Sequence, residues 1–210
     1  MNAIDVYEFL KKEYPFSKIA LNFSNPLELL ISVMLSAQCT DVRVNIVTKV
    51  LFKRYKTVHD YANSDINELK KIIFSTGFYN NKAKNIQNTC KIIIKEHNSK
   101  VPNTMDDLIK LPGVARKTAN IVLSNAYGIN AGIAIDTHMI RINTRLGLTK
   151  NKDPNKIEQD LIKVLPKELW NKYTYVIIEH GRAVCKAPKP LCSKCIIEDK
   201  CPKISVIKYA

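Results

Sequence analysis

Residues 111–120 read Leu-Pro-Gly-Val-Ala-Arg-Lys-Thr-Ala-Asn. Proline fixes φ and glycine accepts backbone angles that other residues resist, so this stretch predicts a tight turn. Helix-forming sequence follows at once. The first-turn amides of such a helix have no intrahelical partner and point outward, which makes them an anion site. Lys117 falls within about one turn of the helix start, where the positive end of the dipole disfavours an ammonium. A lysine held toward its neutral form is a nucleophile; a lysine that only grips phosphate would read the same way. Asp136, in Ile-Asp-Thr-His, is its chemical counterpart. An amine attacking a sugar C1′ needs a carboxylate to stabilise cationic character at that carbon and to manage protons. The same aspartate would also serve as the N-cap of a following helix. His138, two residues on, reads as structural.

The second constellation is Cys185-x6-Cys192-x2-Cys195-x5-Cys201. Four thiolates from one short segment can enclose a metal centre without help from the rest of the fold. Tetrathiolate zinc usually comes as two Cys-x2-Cys pairs, and only one such pair is present. Uneven spacing around one pair suits a cubane iron–sulfur cluster better than zinc. Lys186, Lys189 and Lys194 decorate the same loop beside Pro188 and Pro190. They form either a basic edge held against phosphates or a solvated loop on a folding staple. Cys39 and Cys90 fall in apolar helical segments and are expected to be buried.

The charge points to a partner. Thirty-three Lys and Arg against nineteen Asp and Glu give a formal charge of +14, which favours a polyanion and salt-sensitive association. With 46% hydrophobic and 25% charged residues the chain is ordinary globular material rather than disordered. No stretch approaches the roughly 20 apolar residues that span a bilayer. The first residues show no basic segment leading into an apolar core. A cytoplasmic location with reduced or metal-bound thiols is therefore expected.

The elements that must position these residues are helices. Leu27, Leu30, Ile31, Met34 and Leu35 follow Pro26 at helical spacing. Asp41 is a cap for a helix presenting Val44, Val47, Val50 and Leu51, and Ser64 for one carrying Ile66, Leu69, Ile72 and Ile73 until Gly77. Residues 82–96, 104–110, 114–126, 137–146, 155–164 and 168–184 show the same period, and no hairpin signal stands out. The chain is all-α. Gly128, Asn130 and Gly132 cluster between Tyr127 and Ile135 and mark a boundary. The expected organisation is a six-helix lobe over 21–131 and a second lobe from 1–20 plus 132–210. The groove between them is the natural place for a site.

Taken in order along the chain, the turn with its lysine, the Asp-Thr-His and the four cysteines resemble endonuclease III. Leu-Ser-Ala-Gln-Cys-Thr-Asp at 35–41 and Gly-Phe-Tyr-Asn-Asn-Lys-Ala-Lys at 77–84 extend the resemblance over nearly the whole chain. The resemblance implies a helix-hairpin-helix DNA glycosylase with AP lyase activity on oxidised pyrimidines. It implies Lys117 as the Schiff-base lysine and Asp136 as the catalytic carboxylate. It implies a [4Fe-4S] cluster on Cys185, Cys192, Cys195 and Cys201, in a loop over 185–201. Gly113, Val114, Ala115, Arg116, Lys186 and Lys189 become DNA contacts. Gln38 matches the residue that fills the gap left by an extruded nucleotide. Phe78 stands where the family usually has an aliphatic wedge.

Two further departures concern the site. Ala115 replaces the commoner glycine, and the Lys117-to-Asp136 spacing is one residue longer than usual. The expected partner is duplex DNA bearing a damaged pyrimidine or an abasic site, bound by a monomer with no membrane association. An adenine-mismatch glycosylase would share the hairpin, aspartate and cluster. Its family usually lacks the lysine and carries a further C-terminal domain. A non-catalytic helix-hairpin-helix DNA-binding module would explain the charge but not Asp136 or the cysteines.

Overall fold

The structure, a computed structural model, describes residues 1–210. It is all-α, with eleven α-helices, short 3-10 turns and no strand. The chain divides into two compact units, Ala20–Ala131 and Met1–Ile19 with Gly132–Ala210.

In the first unit, α2 (Pro26–Ser36) is the central element. Asn25 caps it by accepting the Glu28 amide, Pro26 occupies the first turn, and Leu29 through Leu35 are all buried. A helix apolar on every side must be surrounded. Here α3 (Asp41–Arg54), α6 (Tyr79–Glu96) and α8 (Arg116–Ala126) pack around it. Each fully buried leucine contributes about 1.5–3 kcal/mol of transfer free energy. Seven helices form this unit where six were expected. The additional one, α4 (Val58–Ala62), has five residues and is too short to show a period. It packs on α6 beside α5 (Ile66–Ile73). A 3-10 turn, Phe74–Thr76, ends at Gly77 with φ +69°. The four-residue α7 (Met105–Leu108) precedes α8.

Several local expectations are corrected here. Thr40, not Asp41, caps α3, its hydroxyl accepting the Arg43 amide at 3.3 Å. Asp65, not Ser64, caps α5, because the Ser64 hydroxyl instead donates to the Tyr61 carbonyl at the end of α4. Val44, Val47, Thr48 and Leu51 take the inner face of α3, which leaves Val50 on an exposed stripe with Val42 and Ile46. Cys39 is half-buried in the turn between α2 and α3, outside any helix, while Cys90 is buried in α6.

In the second unit, α11 (Trp170–Ala183) packs on both α1 (Ala3–Glu13) and α9 (Thr137–Arg145). Ile157 and Leu161 of α10 (Pro154–Ile162) complete a core with Val6, Leu10, Met139 and Ile177. Its buried polar groups are paired, as desolvation requires. The Tyr173 hydroxyl donates to Asn143 Oδ1 at 2.6 Å, and the Glu158 carboxylate accepts the Ile133 amide at 3.0 Å.

Candidate functional site

The turn before α8 is built as its sequence dictates. Val114 N–H donates to the Leu111 carbonyl at 3.1 Å, and Gly113 sits at φ +79°. With proline at the second position and a positive φ at the third, this is a type II turn, which requires glycine at 113. Ala115 is the N-cap of α8, at φ −92° and ψ 169°, and provides no side-chain cap. That extended conformation suits any residue, so the methyl group at 115 imposes no backbone strain. The cap leaves the first-turn amides of α8 to an outside acceptor. Arg116 is partly exposed and Lys117 exposed on that same turn.

Two side chains of α6 hold the turn from behind. The Thr89 hydroxyl donates to the Pro112 carbonyl at 2.9 Å. Asn85 lies so close to Gly113 that an added Cβ would stand 2.8 Å from its Nδ2. Gln38, Phe78 and Gly113 border one cavity of this unit, together with Lys82 and Asn85. Gln38 and Phe78 are both exposed, and both lie in the left-handed region at φ +52° and +50°. Non-glycine residues hold that conformation only when their surroundings impose it.

Asp136 belongs to the other unit and is the N-cap of α9. Its Oδ1 accepts the Met139 amide at 2.8 Å, so the cap uses one carboxylate oxygen and leaves Oδ2 outside it. The capping and catalytic readings of this residue are therefore compatible. His138 is half-buried with Nδ1 3.1 Å from Arg141 Nη2. Burial pushes its pKa below the ordinary value, with Arg141 adding to the shift and Asp136 opposing it. An imidazole accepting from Arg141 is neutral, which suits a packing role.

The four cysteines line a single cavity with Ile142, His180 and Val206. Cys185 follows the end of α11, Cys192 opens a 3-10 turn, and Cys195 and Cys201 each close one. Cys195 N–H donates to the Cys192 carbonyl at 2.9 Å, which folds the Cys-x2-Cys pair back on itself. Arg145 holds the other flank through Cys185 Sγ at 3.3 Å and the Lys186 carbonyl at 2.8 Å. Arg141 donates to the Cys185 carbonyl through both Nε and Nη2. Burial pushes the Cys195 thiol up to about 11 and raises Cys192 and Cys201 as well. Any metal bound here must therefore displace protons from these sulfurs. Lys186, Lys189 and Lys194 are exposed on the surrounding loop.

The sequence reading missed Lys82, Asn85, Thr89, Arg141 and Arg145, which position the others. Polar residues at 82, 85 and 89 recur at helical spacing on a largely buried face, and that was the available signal.

A helical hairpin with a glycine-dependent turn, an exposed lysine behind it and a capping aspartate define a class. Residues 31–167 match the HhH-GPD superfamily of base excision DNA repair proteins. Endonuclease III of Synechocystis sp. is 50% identical over 200 residues, covering 95% of this chain and 91% of that protein. Endonuclease III of Escherichia coli K12 is 42% identical over 198 residues, covering 94% and 93%. Among solved structures, a non-covalent endonuclease III–DNA complex superposes with a TM-score of 0.92 at 43% identity, covering 97% of this chain and 96% of that one. A trapped covalent endonuclease III–DNA intermediate gives 0.92 at 42% identity, covering 97% of each chain. The chain belongs to the endonuclease III family, DNA glycosylases that also carry AP lyase activity.

Proposed function

We propose that this protein removes oxidised pyrimidines from duplex DNA and then cuts the strand at the abasic site, using Lys117 as nucleophile and Asp136 as its carboxylate partner. The observation that carries the reading is Lys117 itself, exposed on the first turn of α8 behind a phosphate-binding turn. A monofunctional adenine glycosylase has no use for a lysine there.

The amides of Gly113 and Ala115, held in place by the turn that Val114 N–H closes on Leu111, grip a phosphate with Arg116, and Lys186 and Lys189 add positive charge from the cysteine loop. Gln38 and Phe78 enter the helix and occupy the gap as the damaged nucleotide leaves it. Extrusion costs a few kcal/mol, least for bases that stack or pair poorly, and this contributes selectivity. The extruded nucleotide presents its C1′ to Lys117 on the first turn of α8. The Lys117 amine attacks C1′; the bond from nitrogen to C1′ forms as the glycosidic bond breaks, and the base leaves with a proton. Asp136 stabilises cationic character at C1′ and accepts a proton from the attacking amine. The sugar ring opens to a protonated imine, which acidifies C2′–H. Loss of that proton expels the 3′ phosphate by β-elimination, and water then hydrolyses the imine to release Lys117.

The donor set fits a [4Fe-4S] cluster on Cys185, Cys192, Cys195 and Cys201. All four thiols border one cavity. A cubane presents four irons that each take one thiolate, which matches four cysteines around one cavity. When bound, the cluster supplies structural crosslinking of the loop that carries Lys186 and Lys189. No helix is long and apolar enough to cross a membrane, and the protein acts as a cytoplasmic monomer on nucleoid DNA.

Borohydride reduction in the presence of an abasic duplex tests the chemistry. Wild-type protein should be trapped covalently and Lys117→Ala should not. Full trapping of the alanine variant would remove Lys117 from its role. Nicking of abasic DNA, run beside cleavage at mismatched adenine, separates this activity from an adenine glycosylase and from a non-catalytic binder.

A further inference from the structure

Beneath the two strained residues lies a buried cation. Lys82 is only 6% exposed, and its Nζ donates 2.8 Å hydrogen bonds to the carbonyls of Leu35 and Thr76. Lysine is seldom buried so completely unless paired. Both partners here are main-chain oxygens. Leu35 lies in the last turn of α2, and Thr76 is the last residue of the 3-10 turn. Carbonyls at such ends lack intrahelical donors and carry partial negative charge. One ammonium therefore caps two helical ends. Gln38 follows Leu35 by three residues and Phe78 follows Thr76 by two. Burial lowers the Lys82 pKa, so the contact is kept against a desolvation cost.

We propose that Lys82 is the positioning residue of the duplex-opening pair: by bridging the two carbonyls it fixes the segments from which Gln38 and Phe78 enter DNA. This rests on the role assigned to those two residues above. The same face of α6 continues the function. Asn85 and Thr89, three and seven residues on, seat Gly113 and Pro112. A single helix face thus sets the opener in register with the phosphate-binding turn.

Lys82→Met keeps the hydrocarbon stem and removes the ammonium. Its cleavage of an abasic site should be measured in single turnover on duplex and on single-stranded DNA. Fluorescence of a 2-aminopurine opposite the site reads opening directly. Misplacement of about an ångström costs on the order of 100-fold, so duplex cleavage should fall about 10- to 100-fold. The fluorescence rise should be lost, while single-strand cleavage, which needs no opening, is retained. Equal losses on both substrates, or no loss on the duplex, would overturn the proposal.

In a Gln38→Ala background, Lys82→Met should cost far less than it does alone, since it acts through Gln38; strict additivity would also overturn it. If Lys82→Met does not fold, Lys82→Arg, which displaces the two carbonyls, goes through the same comparison. A wild-type protein that cuts neither substrate would sink the functional reading rather than this one.

Discussion

Replacing Gly113 with alanine should disable the turn through two separate strains. At φ +79° a side chain enters the left-handed region, which costs about 1–2 kcal/mol. The new Cβ would also stand 2.8 Å from Asn85 Nδ2, 3.1 Å from Asn85 Cβ and 3.2 Å from Cγ. The amide can rotate away, but Cβ is fixed to the α6 backbone, and crowding of this kind costs about 1–2 kcal/mol more. If the turn holds its shape, the sum of about 2–4 kcal/mol appears as a fall in melting temperature of roughly 5–15 °C. If the turn relaxes out of type II, stability returns but the amides no longer face the phosphate, and DNA affinity falls about 10- to 100-fold.

Thermal unfolding and fluorescence anisotropy with an uncleavable abasic-analogue duplex, measured together, capture both routes. The salt dependence of binding should keep its slope, because amides and not cations have been displaced. Adding Asn85→Ala should recover part of the crowding cost and none of the backbone strain. An alanine variant that melts and binds like the wild type would refute the reasoning, and so would full recovery in the double variant.

Ala115→Ser should stabilise α8 by about 1 kcal/mol, since the hydroxyl caps amides the alanine leaves open. The same occupation should weaken DNA binding, and a variant both more stable and tighter-binding would contradict the phosphate role of those amides. Gly181→Ala drives a Cβ into His138 Nδ1 and places it 3.1 Å from Arg141 Nη2. Its displacement of the arginine should loosen the Cys185 carbonyl contact, measured as lower thermal stability and faster proteolysis in the 185–201 loop.

Asp160 accepts from Thr149 Oγ1 and Asn151 Nδ2, and those bonds hold its pKa below the ordinary 3.8. A depressed folded pKa means that the stabilisation is present above the unfolded value and is lost as pH falls through the folded one. Asp160→Asn should therefore lower the urea midpoint at neutral pH and converge with wild type in acid; a gap independent of pH would count against it.

Where helices bury a continuous stripe, the sequence announces them. The run from Leu27 to Leu35 and the stripe of α5 are examples, since 3.6-residue spacing follows directly from burial on one side. The start of α3 was harder, because Thr40 and Asp41 are both good caps and only backbone geometry decides between adjacent ones. α4 escaped because five residues cannot display a period. The placement of Lys117 on the first turn of α8, of Asp136 at an N-cap and of the four cysteines around one cavity was legible, because turn, cap and cysteine spacing are local features of the sequence. Lys82 was not. A lysine in a helix reads as solvated until the fold brings two carbonyls to its tip, and those carbonyls belong to segments 47 and 6 residues away.

If Lys82 positions Gln38 and Phe78 as proposed, their aim is set in the main chain, through the carbonyls of Leu35 and Thr76, and not by their own side chains. The tip and its mount are thereby separable. On that reading the side chain at 78 can change without disturbing how it is presented. Such a division leaves the tip free to vary on a fixed mount. It also suggests where to alter lesion preference by design: exchange the tip at 78 and leave the mount at 82 alone.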